Sequence, residues 1–406
     1  MCIRDSFQIV RGMPKSEVEF TVMRPGIKEK LNLKLIRDEV NIPNVPYSAM
    51  VNDEIGYVVL STFTENAGKN IRDAVKKLKA DHSTLKSVIL DLRDNGGGLL
   101  GEAVEVCNVF IPQGQLVAST RSKLKERDQQ YKTQNVPFSA EMPLVVLINS
   151  KSASASEIVS GTIQDLDRGV IIGQISYGKG LVQNTKDVGY NAKVKLTIAK
   201  YYIPSGRCIQ SVKYENGEPV HLPDSLRVAF KTRNGRTVYD GGGVRPDIEL
   251  PDANYPEVVQ KLIDQDMIFK YCTDYCLKNP TPADTKSFEF LGFEDFLSYL
   301  NKNNFDDHNV LETKLEELQK LSEKEIDKAI QESLNGIKSQ LNQKQWFEIN
   351  KHKELIINII EEEIVSRSFY EEGSLQKRMT HDPTIAEAIS ILSKPDQYKK
   401  ILTQGK

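Results

Sequence analysis

What this sequence holds little of narrows its function before any motif is read. Five cysteines (Cys2, Cys107, Cys208, Cys272, Cys276) and five histidines are scattered over 406 residues. A structural zinc site needs four such ligands in paired spacings, so none is expected, and no cofactor is implied. Cys272 and Cys276 fall one helical turn apart in an aromatic-rich segment, which reads as buried thiols and not as half of a metal site. No apolar run approaches the ~20 residues of a membrane span. Neither charge sign dominates, with 54 Lys+Arg against 56 Asp+Glu, so the broad basic footprint of a nucleic-acid binder is missing. The first residues, Met1 to Ser6, lack the apolar stretch of a signal peptide and read as a non-native beginning to a chain that starts inside a domain.

What is present is an alternation of strand and helix patterns. Glu17 to Met23 and Leu31 to Ile36 read as short strands joined by Arg24-Pro-Gly26, too little to bury a core alone. Asn41 to Pro46 looks like a linker. Ile55 to Leu60 is a strand; Thr64 caps a helix bearing Ile71, Ala74, Val75 and Leu78 on one face; Ser87 to Leu92 is the next strand and Leu99 to Phe110 the next helix. Leu144 to Ile148, a helix from Ser154 to Leu166, and Val170 to Ile172 repeat the pattern, which describes an α/β core. Val194 to Tyr202 adds a longer strand, and Gly241 to Glu249 a loop returning to a sheet edge. After Pro251 the texture turns to charged helix. Leu311, Leu315, Leu318, Ile326, Ala329, Ile330, Leu334, Ile337 and Leu341 form an apolar stripe that can pack on the core or meet another copy of the chain, giving a homo-oligomer.

The chemistry concentrates where the run Leu144-Val-Val-Leu-Ile148 empties into Ser152-Ala-Ser-Ala-Ser156 at a helix start. Such a turn exposes a serine oxygen beside free backbone N–H groups and a positive helix end, which would stabilise an oxyanion. Ser152, Ser154 and Ser156 are equal candidates on this ground. Glu157 also stands at the capping-box spacing from Ser154, so an ordinary capped helix competes with the catalytic reading. A serine needs a base, and Lys179, framed by Gly178 and Gly180, is the candidate. Glycines 96 to 98 make a second turn whose main chain can approach a reacting oxygen closely.

Rival motifs fit less well. Gly173 to Lys179 matches the start of a phosphate-binding loop, but Gly180 stands where a magnesium-holding Ser or Thr is needed, and Leu181 to Thr185 reads as strand. Ser83-Thr-Leu-Lys86 matches the Ser-x-x-Lys pattern without its companion motifs and reads as an exposed turn.

Six segments in order, Asp91-Leu-Arg-Asp-Asn-Gly-Gly-Gly98, Ser152-Ala-Ser-Ala-Ser-Glu-Ile158, Gln164-Asp165, Tyr177-Gly-Lys-Gly180 with Gln183, Tyr201 to Arg207 and Gly242-Gly-Val-Arg-Pro-Asp247, resemble the C-terminal processing (tail-specific) proteases. These are Ser/Lys endopeptidases carrying a PDZ domain. The resemblance implies a mixed α/β, crotonase-like ββα spiral core over residues 39–254. It also implies the C-terminal part of a PDZ domain in residues 1–38 and a helical accessory region over 255–406. It further implies Ser154 as nucleophile, Lys179 as general base, Gln183 as the residue orienting the amine, and Gly97 and Ala155 as oxyanion-hole donors, with Gly98 the alternative to Gly97. Protein or peptide substrates in the periplasm or cell envelope follow from the same likeness. A base lysine must be uncharged near neutral pH, so a dry, amide-lined surrounding is expected for Lys179. Asp165 is expected to order the structure and not to act on substrate. The competing class is a catalytically idle binding scaffold.

Overall fold

The computed structural model describes residues 9–40, 42–215, 218–221, 223–251, 255–305, 314–315, 317–318 and 328–403. Cys2 and the Met1–Ser6 beginning lie outside them, as do Leu311 and Ile326 of the apolar stripe. The chain forms two compact units, one of residues 1–41 with 253–381, the other of 42–252 with 382–406.

The first unit opens with a hairpin of β1 (Glu17–Val22) and β2 (Leu31–Ile36), paired antiparallel from Glu17 opposite Ile36 to Val22 opposite Leu31. Alternation half-buries Val18, Phe20 and Val22, while Leu35 and Ile36 of β2 remain exposed.

In the second unit a six-stranded sheet carries the site. Its strands are β3 (Tyr47–Met50), β4 (Ile55–Val59), β5 (Ser87–Asp91), β8 (Leu144–Ile148), β9 (Val170–Gly173) and, at the far edge, β12 (Ile248–Glu249). The order is β12-β9-β8-β5-β4-β3, with every pair parallel except β3 with β4. β5 and β8 are buried along their whole length, and β8 reads as a continuous apolar run while β5 has one between Ser87 and Asp91, as strands covered on two faces do. The covering helices are α1 (Ala67–Asp81), α2 (Leu100–Phe110) and α3 (Ala155–Asp165). Ile71, Val75 and Leu78 of α1 are buried as their spacing predicts, although the helix starts after Asn66 and not at Thr64.

A second, antiparallel sheet has the order β10-β11-β6-β7, formed by β6 (Leu116–Ser122), β7 (Gln129–Lys132), β10 (Leu181–Asp187) and β11 (Lys193–Tyr202). Two short hairpins, 212–215 with 218–221 and 229–231 with 237–239, complete the strands.

The rest of the first unit is helical: α4 (Glu257–Asp264), α5 (Met267–Lys278), α6 (Phe293–Lys302), α7 (Lys328–Lys351) and α8 (Lys353–Arg378). Its core joins Tyr271, Phe290, Phe296, Ile356 and Ile360, with the Tyr271 and Phe296 rings edge to face at 5.0 Å. Cys272 is buried there and its Sγ lies 3.8 Å from the Ile360 carbonyl. Of the apolar stripe, Leu315 is buried, whereas Leu318 and Ile337 are 54% and 45% exposed.

The expected helical region over 255–406 divides here. Residues 382–406 return to the sheet unit, where α9 (Pro383–Leu392) packs on β8 and β9, and α10 (Pro395–Thr403) packs on β9. The Tyr398 hydroxyl bonds both the N–H and the carbonyl of Leu144, at 3.0 and 3.1 Å. An amphipathic pattern marks a buried face without saying which core buries it, which is why this division was not readable from periodicity.

Candidate active site

β8 delivers the chain to Asn149, and the turn that follows sorts the three serines. Ser152 is fully buried; its Oγ donates to the Leu92 carbonyl at 2.8 Å and accepts from Asn149 N at 2.9 Å. Ser156 is equally buried, its Oγ donating to the Asn95 carbonyl at 2.8 Å. Ser154 lies half-buried between them, and among the described residues its hydroxyl donates to no carbonyl. Its backbone sits at φ 56, ψ −110, a strained conformation for a side-chain-bearing residue and one that clusters at functional turns.

Glu157 holds this turn. Its carboxylate, fully buried, accepts Ser154 N at 2.8 Å, the half of a capping box that the sequence spacing predicts. It then does more than cap. The same oxygen accepts Lys179 N at 2.8 Å, and the other accepts Gly178 N at 2.6 Å and Ser176 Oγ at 2.5 Å. Ser154 and Lys179 are thereby fastened by their backbones to one oxygen atom. Tyr177 N bonded to Ser152 O at 3.0 Å adds a second tie between the two segments. Burial pushes the Glu157 carboxyl above its ordinary range, and its four donors oppose that shift by favouring the ionised form.

The glycine turn is seated by Asn95, another buried residue whose role the motif alone did not define. Its Nδ2 donates to Leu60 O at 2.7 Å, and its carbonyl accepts Ala153 N at 3.0 Å as well as Ser156 Oγ. Its Oδ1 accepts Gly97 N at 2.9 Å. The Gly97 N–H, expected in the oxyanion hole, is thus committed inside the turn. The N–H groups of Gly98 and Ala155 have no partner among the described residues. Gly97 matters sterically instead: at φ +97, a Cβ there would stand 2.8 Å from Ser154 Cβ and 2.9 Å from Ala155 N. At Gly96 a Cβ would meet nothing within 4 Å.

Lys179 departs from expectation. Its side chain is exposed, and its amine makes no hydrogen bond or ion pair among the described residues. Gln183, on β10 at the bulge between Val182 and Gln183, is exposed too, and no hydrogen bond joins it to Lys179. The dry, amide-lined pocket is therefore not formed. The reason is local: β10 is the edge of its sheet, and β10 and β11 run largely exposed from a point two residues past the lysine.

Asp165 lies at the opposite end of α3 from Ser154 and pairs with buried Arg207 at 2.9 Å, while its Oδ2 accepts Ser205 N at 2.9 Å. It acts in the scaffold. Asp247 accepts from Gln164 Nε2 and Ile171 N, both at 2.8 Å, which explains the shared appearance of the Gln164-Asp165 and Gly242–Asp247 motifs. The phosphate-loop reading fails, because strand β10 follows Gly180 where that motif requires a helix. Among the described residues no His/Cys/Asp/Glu group could hold a metal ion.

A strained serine at a strand-to-helix turn, with open N–H groups in the turn and a lysine segment tethered to it, meets what nucleophilic catalysis by a serine requires of a backbone. Residues 54–216 match the profile of Peptidase family S41, and residues 258–392 match "Probable PDZ-protease, C-terminal helical domain". The carboxy-terminal-processing protease of Bartonella bacilliformis is 38% identical over 212 residues, covering 52% of this chain and 48% of that protein. A "Probable CtpA-like serine protease" of Staphylococcus aureus strain N315 is 34% identical over 238 residues, covering 58% and 47%. The chain thus spans about half the length of the curated relatives it matches. Among solved structures, the photosystem II D1 C-terminal processing protease aligns at 26% identity over 60% of this chain and 58% of that one, with a TM-score of 0.41. The resemblance to the C-terminal processing proteases stands.

Proposed function

We propose that this chain is a serine endopeptidase that cleaves protein substrates near their C-termini through an acyl-enzyme on Ser154. The observation that carries the reading is the Glu157 carboxylate, one oxygen of which accepts both Ser154 N and Lys179 N at 2.8 Å. In the reaction the neutral Lys179 amine takes the Ser154 Oγ proton, Oγ bonds the scissile carbonyl carbon, and the carbonyl oxygen becomes an oxyanion. Ala155 N–H and Gly98 N–H, both open, receive it; Gly97 shapes the turn between them. The C–N bond breaks as the lysine ammonium returns its proton to the leaving amine, and water then releases the acyl group.

Because Lys179 is exposed in the free chain, its desolvation is assigned to the substrate, whose backbone covers the amine on binding and brings Gln183 to it. The β1–β2 hairpin supports reading residues 1–38 as the end of a PDZ domain, and the stack of β4, β5, β8 and β9 against α1 to α3 supports a crotonase-type spiral. We assign the protein to the periplasm or cell envelope on the likeness to its relatives; no helix among the described residues is long and apolar enough to cross a membrane.

The test is digestion of a denatured protein by the chain beside its Ser154→Ala and Lys179→Ala forms, with product ends mapped by mass spectrometry. Cleavage by the parent alone supports the assignment. Equal cleavage by all three removes it, and silence in all three, with no fluorophosphonate labelling of Ser154, favours the idle scaffold that the exposed lysine would also suit.

A further inference from the structure

Arg93 sits between two buried carboxylates that come from distant parts of the chain. Its Nε and Nη2 donate to Asp91 Oδ2 at 3.0 and 2.6 Å, and its Nη1 donates to Asp382 Oδ2 at 2.6 Å. Asp91 is further engaged by the Tyr57 hydroxyl at 2.7 Å. Asp382 caps α9 with its other oxygen, accepting Thr384 N at 2.8 Å and Ile385 N at 3.2 Å. One carboxylate, 8% exposed, therefore starts a helix and grips a guanidinium at once.

The gripped residue borders the catalytic turn. Leu92, between Asp91 and Arg93, supplies the carbonyl that fixes Ser152. Asp94, directly after Arg93, sits at φ 58, a left-handed conformation that persists only where its flanks are held. Asn95 follows and seats Gly97 against Ser154. The flank on the Ser154 side is held by Asn149, whose Oδ1 accepts Asp94 N at 3.0 Å. The other flank is held by Arg93.

We propose that Asp382 is a positioning residue for the oxyanion turn. By anchoring Arg93 it keeps residues 94–98 in the conformation that seats Gly97 against Ser154 and Ala155 N and leaves the Gly98 N–H open, and it makes residues 382–406 part of the hydrolytic unit. The catalytic half of this inference rests on the function proposed above; the conformational half does not.

Asp382→Asn isolates the claim, since asparagine is as good a helix cap and has the same shape but carries no charge for Arg93. Ala386→Gly is the control: on exposed helix surface of α9, it weakens the same helix without touching Arg93. Hydrogen exchange of peptides spanning 92–99 and 144–148 is measured with kcat and KM on an unfolded protein substrate. In Asp382→Asn the turn should exchange about tenfold faster while the β8 peptide is unchanged, and kcat should fall about tenfold with KM within about twofold. Ala386→Gly should move neither. An unchanged turn in Asp382→Asn, an equal rise over β8, or the same response in both variants would overturn the proposal. Should the parent chain hydrolyse nothing, the function reading falls and the exchange comparison still decides the conformational one.

Discussion

The two halves of the site are built to different standards. Around Ser154, the side chains that shape the turn each have a designated partner, while among the described residues the Gly98 and Ala155 N–H groups stay open: Glu157 accepts four donors, Asn95 uses both ends of its amide, and Ser152 and Ser156 are each tied to a main-chain carbonyl. Around Lys179 only the backbone is fixed, while its side chain and Gln183 face solvent. The Ser154 half can therefore hold a strained geometry before substrate arrives, whereas on the proposed mechanism the Lys179 half acquires its low-dielectric setting only with substrate in place. Stability and activity should separate along this division.

The largest effect is expected at the two reacting groups. Ser154→Ala and Lys179→Ala should each lower kcat by about 1000-fold or more, and the exposed lysine should leave the melting temperature in place, as followed by peptide hydrolysis and thermal unfolding. A lysine variant that unfolds early would erase the contrast between the halves. Next comes Glu157→Gln, which turns an amide N–H toward donors that need an acceptor; we expect about 3 kcal/mol of destabilisation in denaturant titrations together with a large drop in kcat.

The same residue sets a pH dependence. With its folded value raised above 4.5, the folded chain holds this proton to higher pH than the unfolded chain does. Its contribution to stability is fully present below 4.5 and is lost as pH rises toward the raised folded value. Hydrolysis should rise over that window, because the ionised carboxylate is the form that accepts all four donors. Thermal unfolding against pH should show this slope in the parent and lack it in Glu157→Gln.

Ser152→Ala should cost about 1–2 kcal/mol of stability yet retain most hydrolysis, the mirror image of Lys179→Ala. The smallest change in stability is that of Ser154→Gly, which relieves the left-handed strain and should stabilise by about 1 kcal/mol while abolishing cleavage as Ser154→Ala does.

Much of this was legible in the residues. β8 appears with the boundaries its apolar run predicts, β5 and α2 within a residue, and the edge return at 248–249 where the Gly241–Glu249 loop points. The choice among Ser152, Ser154 and Ser156 was not, because three chemically equal hydroxyls are told apart only by carbonyls of Leu92 and Asn95 supplied from another strand end. For the same reason the motif does not show that Asn95 Oδ1 occupies the Gly97 N–H and leaves that of Gly98 open. β6 and β7 went unread, since mixed polar sequence such as Gln129-Gln-Tyr-Lys132 carries little period-two contrast.

The Tyr398 hydroxyl spans Leu144 across a sequence separation of 254 residues, and Arg93 reaches Asp382 across 289. A chain leaving the ribosome N-terminus first releases the nucleophile turn long before the helices that close its sheet face. At ~5–20 residues per second, that interval lasts on the order of ten seconds or more, during which the Ser154 turn exists without the helices that later pack on its sheet.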